Sequence, residues 1–138
     1  MNNTYKLGID IGSTTVKIAI LDDDNNILFS DYERHFANIQ GTLQSLLLKA
    51  TTQLGTFDVY PVITGSGGLT LAKHLGIPFT QEVVAVATSL IDYAPHTDVA
   101  ILQICPCKIA CASREKYAAY TNGKNLLIIN PKAYNAII

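Results

Sequence analysis

The stretch Gly8-Ile9-Asp10-Ile11-Gly12-Ser13-Thr14-Thr15-Val16-Lys17 decides how the chain reads. From Tyr5 to Ile11, Leu7, Ile9 and Ile11 alternate with Lys6, Gly8 and Asp10, the period-two pattern of a half-buried strand. Gly12 to Thr15 interrupt it with turn residues, and Val16 to Leu21 resume a run of β-branched and aliphatic side chains. Asp22-Asp23-Asp24-Asn25-Asn26 is a second polar turn, read as a solvated hairpin rather than a Ca2+ loop, before a third strand from Ile27 to about Tyr32. Connections this short require antiparallel neighbours, so the first third of the chain is expected to be a three-stranded antiparallel meander.

The same stretch carries chemistry. A strand delivers the carboxylate of Asp10, a turn exposes backbone N–H and hydroxyl donors, and the next strand carries Lys17. Gly12 admits close approach by an anion, Ser13, Thr14 and Thr15 supply donors, Lys17 can neutralise phosphate, and Asp10 can hold Mg2+ directly or through water. Asp-x-Gly-Ser-Thr is also serviceable hairpin chemistry, and at this point both readings stand.

Working outward, Asn38 is a helix N-cap, and Leu43, Leu46, Leu47, Ala50 and Leu54 form an amphipathic stripe ended by Gly55. A parallel return strand, Val59 to Thr64, leads into Gly65-Ser66-Gly67-Gly68, a second candidate anion loop or a tight strand-to-helix turn. Its spacing is neither a dinucleotide fingerprint nor a P-loop. Short helices are expected from about Leu69 to Leu75 and from Gln81 to Tyr93, then a buried strand from Asp98 to Ile104. The order β-β-β-α-β-α-α-β is a mixed α/β arrangement. Beyond it, Ala110 to Tyr120 has helical character and Leu126 to Ile129 is a short apolar run, neither coupled to the earlier layers.

Composition narrows the function classes. The 138 residues are 49% hydrophobic and 15% charged with net charge −1, which fits a folded domain and disfavours a nucleic-acid binder acting through bulk charge. No apolar run reaches membrane-span length, and a cytoplasmic setting is the expectation. The average conceals a seam. Residues 1–104 carry five basic and ten acidic side chains, the last 34 carry five and one, and Cys105, Cys107 and Cys111 all follow the seam. Cys-Pro-Cys-x-x-x-Cys admits a metal reading given a fourth ligand. His35 and His74, single histidines beside apolar segments, are read as surface or hydrogen-bonded groups, and Glu82 as a helix-dipole partner.

From Tyr5 to Ile104 the chain resembles the BadF/BadG/BcrA/BcrD ATPase family, specifically the N-terminal lobe of activators (activases) of 2-hydroxyacyl-CoA dehydratases, and among these the long-form CoA activases. The segments that carry the resemblance are Gly8 to Lys17, Asp31-Tyr-Glu-Arg-His-Phe36, Ile63 to Gly68 with Leu71-Ala-Lys-His-Leu-Gly-Ile-Pro-Phe79, Gln81-Glu-Val-Val84 and Thr97-Asp-Val-Ala-Ile101. The resemblance implies an actin-like ATPase (RNase-H-like) lobe over residues 1–104. It implies ATP and Mg2+ as ligands, with Asp10 as the catalytic and Mg2+-linked carboxylate. Gly12, Ser13, Thr14, Thr15 and Lys17 would bind phosphate as the first loop, and Gly65, Ser66, Gly67 and Gly68 are further candidate nucleotide- or phosphate-binding residues. Full-length relatives are homodimers that hold a [4Fe-4S] cluster and drive electrons into the dehydratase by ATP hydrolysis. Two alternatives stand beside this reading: a non-catalytic module that binds a partner or metal, and a relative of sugar or acetate kinases.

The family pattern lapses at the seam. Relatives continue into a second phosphate loop, acidic-Gly-Gly-acidic, and later a Cys-Ala-Gly-Gly-Thr-Gly cluster segment. Here Gln103, Cys105 and Pro106 stand at the loop, and the cluster ligands are not present. Residues 105–138 are therefore expected to be a divergent tail from a truncated or frame-disrupted second lobe, leaving the lobe inactive alone. Reading the downstream DNA in every frame tests this: one frame should resume the missing motifs, and their absence from all of them contradicts it.

Overall fold

The computed structural model describes residues 4–94 and 96 and, as backbone, the strands Val99–Cys105, Lys108–Ser113, Tyr117–Thr121 and Leu126–Ile129. It divides into two compact units, Met1–Thr80 and Gln81–Ile138, so the charge seam falls inside the second, at the end of a strand.

The first unit is one sheet covered on one face. Strands β1 (Thr4–Ile11), β2 (Thr15–Leu21) and β3 (Ile27–Arg34) form the expected antiparallel meander. Strand β4 (Asp58–Thr64) joins β1 in parallel, giving the order β3-β2-β1-β4. The alternation read from the sequence is the alternation observed: Leu7, Ile9, Ile11, Val16, Ile18 and Ile20 are buried, while Lys6, Asp10 and Lys17 take the opposite face. Ile63 of β4 completes the apolar face, and helix α1 (Ile39–Leu54) lays Leu46 and Ala50 on the core.

Local chemistry explains the helix ends. The Asn38 side chain accepts the Gly41 N–H at 3.1 Å, and the Gly55 N–H closes the far end on the Thr51 carbonyl at φ 81°. Helix α2 (Gly68–Leu75) stops at Gly76 in the left-handed region, φ 66°. The chain then turns back beside β4, where Ile63 N–H donates to Pro78 O and Thr80 N–H to Ile63 O, each at 2.9 Å. This single parallel bridge, Ile63 with Phe79, covers the edge of β4 next to the candidate loop. The acidic turn is a hairpin, as expected: Asp22 accepts the Asn26 backbone N–H at 2.8 Å, and hydrogen bonds from Asn26 hold its carboxyl below the usual carboxylate range.

Helix α1 is tied to β3 by Lys49, whose ammonium lies 2.6 Å from Glu33 and 2.9 Å from Asp31. Glu33 and then Asp31 raise the Lys49 pKa, and the Lys49 hydrogen bond lowers that of Asp31. A lowered carboxyl stabilises the fold above the ordinary carboxylate range and loses that effect as the pH falls. A raised ammonium stabilises below the ordinary lysine range and loses it as the pH rises. Lys49 is exposed and the two carboxylates are partly so, and the contribution is small.

The second unit holds helix α3 (Glu82–Tyr93), with Val83 and Ala87 buried and Glu82 in its first turn, and an antiparallel sheet in the order β5-β6-β7-β8. Strand β5 (Val99–Cys105) meets the expectation from Asp98 to Ile104. The helix expected over 110–120 is not formed: β6 (Lys108–Ser113) and β7 (Tyr117–Thr121) occupy that region. The apolar run at the end is β8 (Leu126–Ile129). Alanine-rich composition favours a helix only weakly, and continuous pairing from β5 through β6 to β8 overrides it. The expectation that these segments are uncoupled from what precedes them is corrected by the same pairing. The cysteine side chains lie outside the described residues. Among the described residues no helix is long and apolar enough to cross a membrane.

Leu46 is fully buried in the core, and Lys49 lies at the surface. Leu46→Ala should cost about 2–5 kcal/mol in urea unfolding. Lys49→Met should leave mid-pH stability nearly unchanged while flattening the acid and alkaline limbs. A larger loss for Lys49→Met than for Leu46→Ala would contradict this packing.

Candidate functional site

The site is built where β1 ends. Asp10 is the register partner of Lys17 on β2 and of Thr64 on β4, so all three side chains lie on the face opposite the core. The Lys17 ammonium sits 2.6 Å from Asp10 Oδ2. The other carboxylate oxygen, Oδ1, is buried without a hydrogen-bond partner, and so is the Thr64 hydroxyl. A buried unpaired carboxylate oxygen is costly, and its presence marks a place suited to a further donor or cation.

Two loops flank this carboxylate. In the first, Gly12 N–H donates to Thr15 O at 2.9 Å, closing a tight turn that leaves Ser13 and Thr14 exposed. In the second, Gly65 adopts φ 92°, and a Cβ there would collide with Asp10 Oδ1 and the Ile11 carbonyl. Only glycine serves at this position. Gly67 N–H then donates to Ile11 O at 2.9 Å, fastening the second loop to the end of β1. Gly68 begins α2, and a Cβ there would come within 2.6 Å of Ile63 Cγ2. Ser66 lies between these glycines and is exposed.

The fold therefore brings together every residue that the sequence singles out at the two loops: Asp10, Gly12, Ser13, Thr14, Thr15 and Lys17 on one side, Gly65, Ser66, Gly67 and Gly68 on the other. Chemically this is a carboxylate with one free oxygen, an ammonium, hydroxyls, and backbone donors from a turn and from the start of a helix. Such a set fits a phosphate group with a divalent cation: the orphaned Oδ1 offers a cation or its water an acceptor, and the glycine at 65 lets the second loop pass directly beside that oxygen. Among the described residues no group of three or more His, Cys, Asp or Glu could hold a metal by itself.

Two residues of the quoted segments enter the site although the sequence reading gave them no part in it. Thr64 reaches it only through the parallel register of β4 on β1, which no local pattern encodes. His35 reaches it from the end of β3, its ring 3.3 Å from the Gly12 carbonyl. The hydrogen-bonded role expected for His35 is the one observed. His74 is exposed in the last turn of α2.

Superposition on solved structures identifies the fold. The activator of 2-hydroxyisocaproyl-CoA dehydratase from Clostridium difficile, solved with bound ADPNP, matches 91% of this chain at TM-score 0.61 and 20% identity. Component A of (R)-2-hydroxyglutaryl-CoA dehydratase from Acidaminococcus fermentans matches 93% at TM-score 0.63 and 20% identity. The ethanolamine utilization protein EutJ from Carboxydothermus hydrogenoformans matches 94% at TM-score 0.52 and 14% identity, over 53% of its own length. At these identities the likeness is one of fold, an actin-like ATPase fold with a mixed sheet, and it agrees with the resemblance to the activators. The chain spans 46% and 48% of the two activators. No family profile and no curated protein matches the sequence.

The geometry at Gly65 is directly testable. Gly65→Ala combines a left-handed backbone with an occupied Cβ position and should destabilise the fold by about 1–3 kcal/mol or more. Gly55→Ala, whose Cβ meets open space at φ 81°, carries only the backbone penalty and should cost less. Equal losses would contradict the close approach of the two loops.

Proposed function

We propose that this chain is the phosphate-binding lobe, residues 1–104, of an ATPase of the kind that activates 2-hydroxyacyl-CoA dehydratases. The observation that carries the proposal is Asp10: paired to Lys17 through one oxygen, unpartnered at the other, and flanked by two loops able to present backbone donors. The actin-like fold and the nucleotide analogue bound by the activator from Clostridium difficile support the same reading.

In this reading Lys17 and the Gly12–Thr15 turn bind and orient the terminal phosphates of ATP. The Gly65–Gly68 loop bounds the site from the side of β4. Asp10 holds Mg2+, directly or through water, and Mg2+ would supply neutralisation of the phosphate charge. When the phosphates arrive, the Lys17 ammonium transfers its partnership from Asp10 to phosphate oxygen, which frees Oδ2 as well. Catalysis by such a lobe is positioning and charge neutralisation, with little covalent work by side chains. By the resemblance, the adenosine contacts and the cluster ligands of an activase belong to its second lobe, and no step through the cluster is derived for this one. Coupling to a dehydratase, homodimer formation and a cytoplasmic setting belong to the proposal by resemblance.

One lobe of a two-lobed clamp supplies only part of the contacts, so MgATP should bind in the millimolar range, about −4 kcal/mol, with negligible turnover. NMR titration should move the amides of residues 12–15 and 65–68, and Asp10→Asn should weaken the effect about tenfold. No movement at these amides with several millimolar MgATP would overturn the phosphate reading. Micromolar affinity would show instead that one lobe suffices.

A further inference from the structure

We propose that His35 is the positioning residue of the Gly12–Thr15 turn, fixing two of its peptide planes so that their N–H groups face an anion. The phosphate part of this inference rests on the reading above. The positioning part rests on geometry alone.

His35 touches the turn twice. Its backbone N–H donates to Thr14 O at 3.0 Å, and its ring Nε2 lies 3.3 Å from Gly12 O. The ring's other nitrogen, Nδ1, accepts the Ala37 N–H at 3.0 Å. A backbone N–H can only donate, so Nδ1 carries no proton, and the hydrogen of the neutral ring sits on Nε2, where it donates to Gly12 O. His35 is 9% exposed, so water competes little for either bond.

The chain spends conformational energy to hold this arrangement. Phe36 and Ala37 both adopt left-handed backbone, φ 42° and 67°, which L-residues rarely take. That reversal brings the Ala37 N–H back onto the ring of His35. It also lets Asn38 N–H donate to His35 O just before α1 begins, so the strained pair is held from both sides. Phe36 is 83% exposed, so burial of its ring does not account for the strain.

The consequence follows from peptide planarity. None of the described peptides is cis, and in a trans peptide the C=O and N–H point in opposite directions. With the Gly12 carbonyl drawn toward His35, the Ser13 N–H is aimed away from it. With the Thr14 carbonyl drawn toward the His35 N–H, the Thr15 N–H is likewise aimed away. Two carbonyl oxygens that would repel an anion are thus held by His35, and the N–H groups of the same two peptides point away from it. His35 does this without contacting the ligand.

The test separates the two ring bonds with near-isosteric amides. In His35→Asn the side-chain oxygen replaces Nδ1 and keeps the Ala37 bond but loses the Gly12 donor. In His35→Gln the amide nitrogen reaches the place of Nε2 and keeps the Gly12 donor. Without ligand, long-range 1H–15N NMR of the full chain should show the Nε2–H tautomer, and the Ser13 amide resonance should move in His35→Asn but not in His35→Gln. The Nδ1–H tautomer, or equal shifts in both variants, would overturn the positioning role. With magnesium pyrophosphate as probe, His35→Asn should bind about tenfold more weakly than the parent and His35→Gln within about threefold. Equal affinity for all three would overturn the link from His35 to the anion. No binding by the parent, with the ligand-free results as expected, would overturn the phosphate reading and leave the positioning of the turn intact.

Discussion

The end of β1 is closely packed, and the site follows from how that crowding is resolved. The Ile11 side chain is fully buried, its carbonyl accepts the Gly67 N–H, and the space a Gly65 side chain would need is taken by Asp10 Oδ1 and the Ile11 carbonyl. A hydrogen atom at residue 65 lets β4 turn into α2 within contact of the β1–β2 hairpin. With any larger group there the two loops would part, and Asp10 would face solvent on one side. The apolar face of the sheet holds the strands in register, and that register delivers Asp10, Lys17 and Thr64 side by side.

The charges at this point are arranged for exchange. Lys17 is half-exposed and satisfies only one Asp10 oxygen, and an ion pair at such a position contributes little to stability. The second oxygen and the Thr64 hydroxyl go without partners, a cost that the rest of the unit has to offset. By contrast, the Lys49 pairs with Asp31 and Glu33 join helix to strand and leave no orphaned atom among the buried groups. One ion-pair cluster is fully partnered and adds little to stability, and the other leaves capacity for something to bind.

The meander, the crossover helix, the parallel strand and both loops were legible in the sequence because each has a local signature: alternation over Leu7 to Ile11, the Asn38 cap, the Gly55 and Gly76 stops, the glycines at 65–68. What was not legible depends on registry or on long-range pairing. Thr64 enters the site because β4 pairs with β1 at one particular offset, and His35 because two left-handed residues reverse the chain behind it. Residues 110–120 have the composition of a helix, yet β6 and β7 form there because neighbouring strands offer ladder partners. The role proposed for Asp10 was read first from the strand, turn and lysine around it and then from the resemblance, and the free Oδ1 is the structural feature on which that proposal rests.

The central claim is that the two loops and Asp10 form one site for a divalent cation with phosphate. Paramagnetic broadening by Mn2+ added with ADP tests it most directly, since the effect falls steeply with distance from the ion. The account predicts loss of amide signals at Gly12–Thr15 and at Gly65–Gly68 together, relieved by excess Mg2+ and abolished in Asp10→Asn. Broadening confined to the acidic turn at Asp22–Asp24, or unchanged in Asp10→Asn, would contradict it.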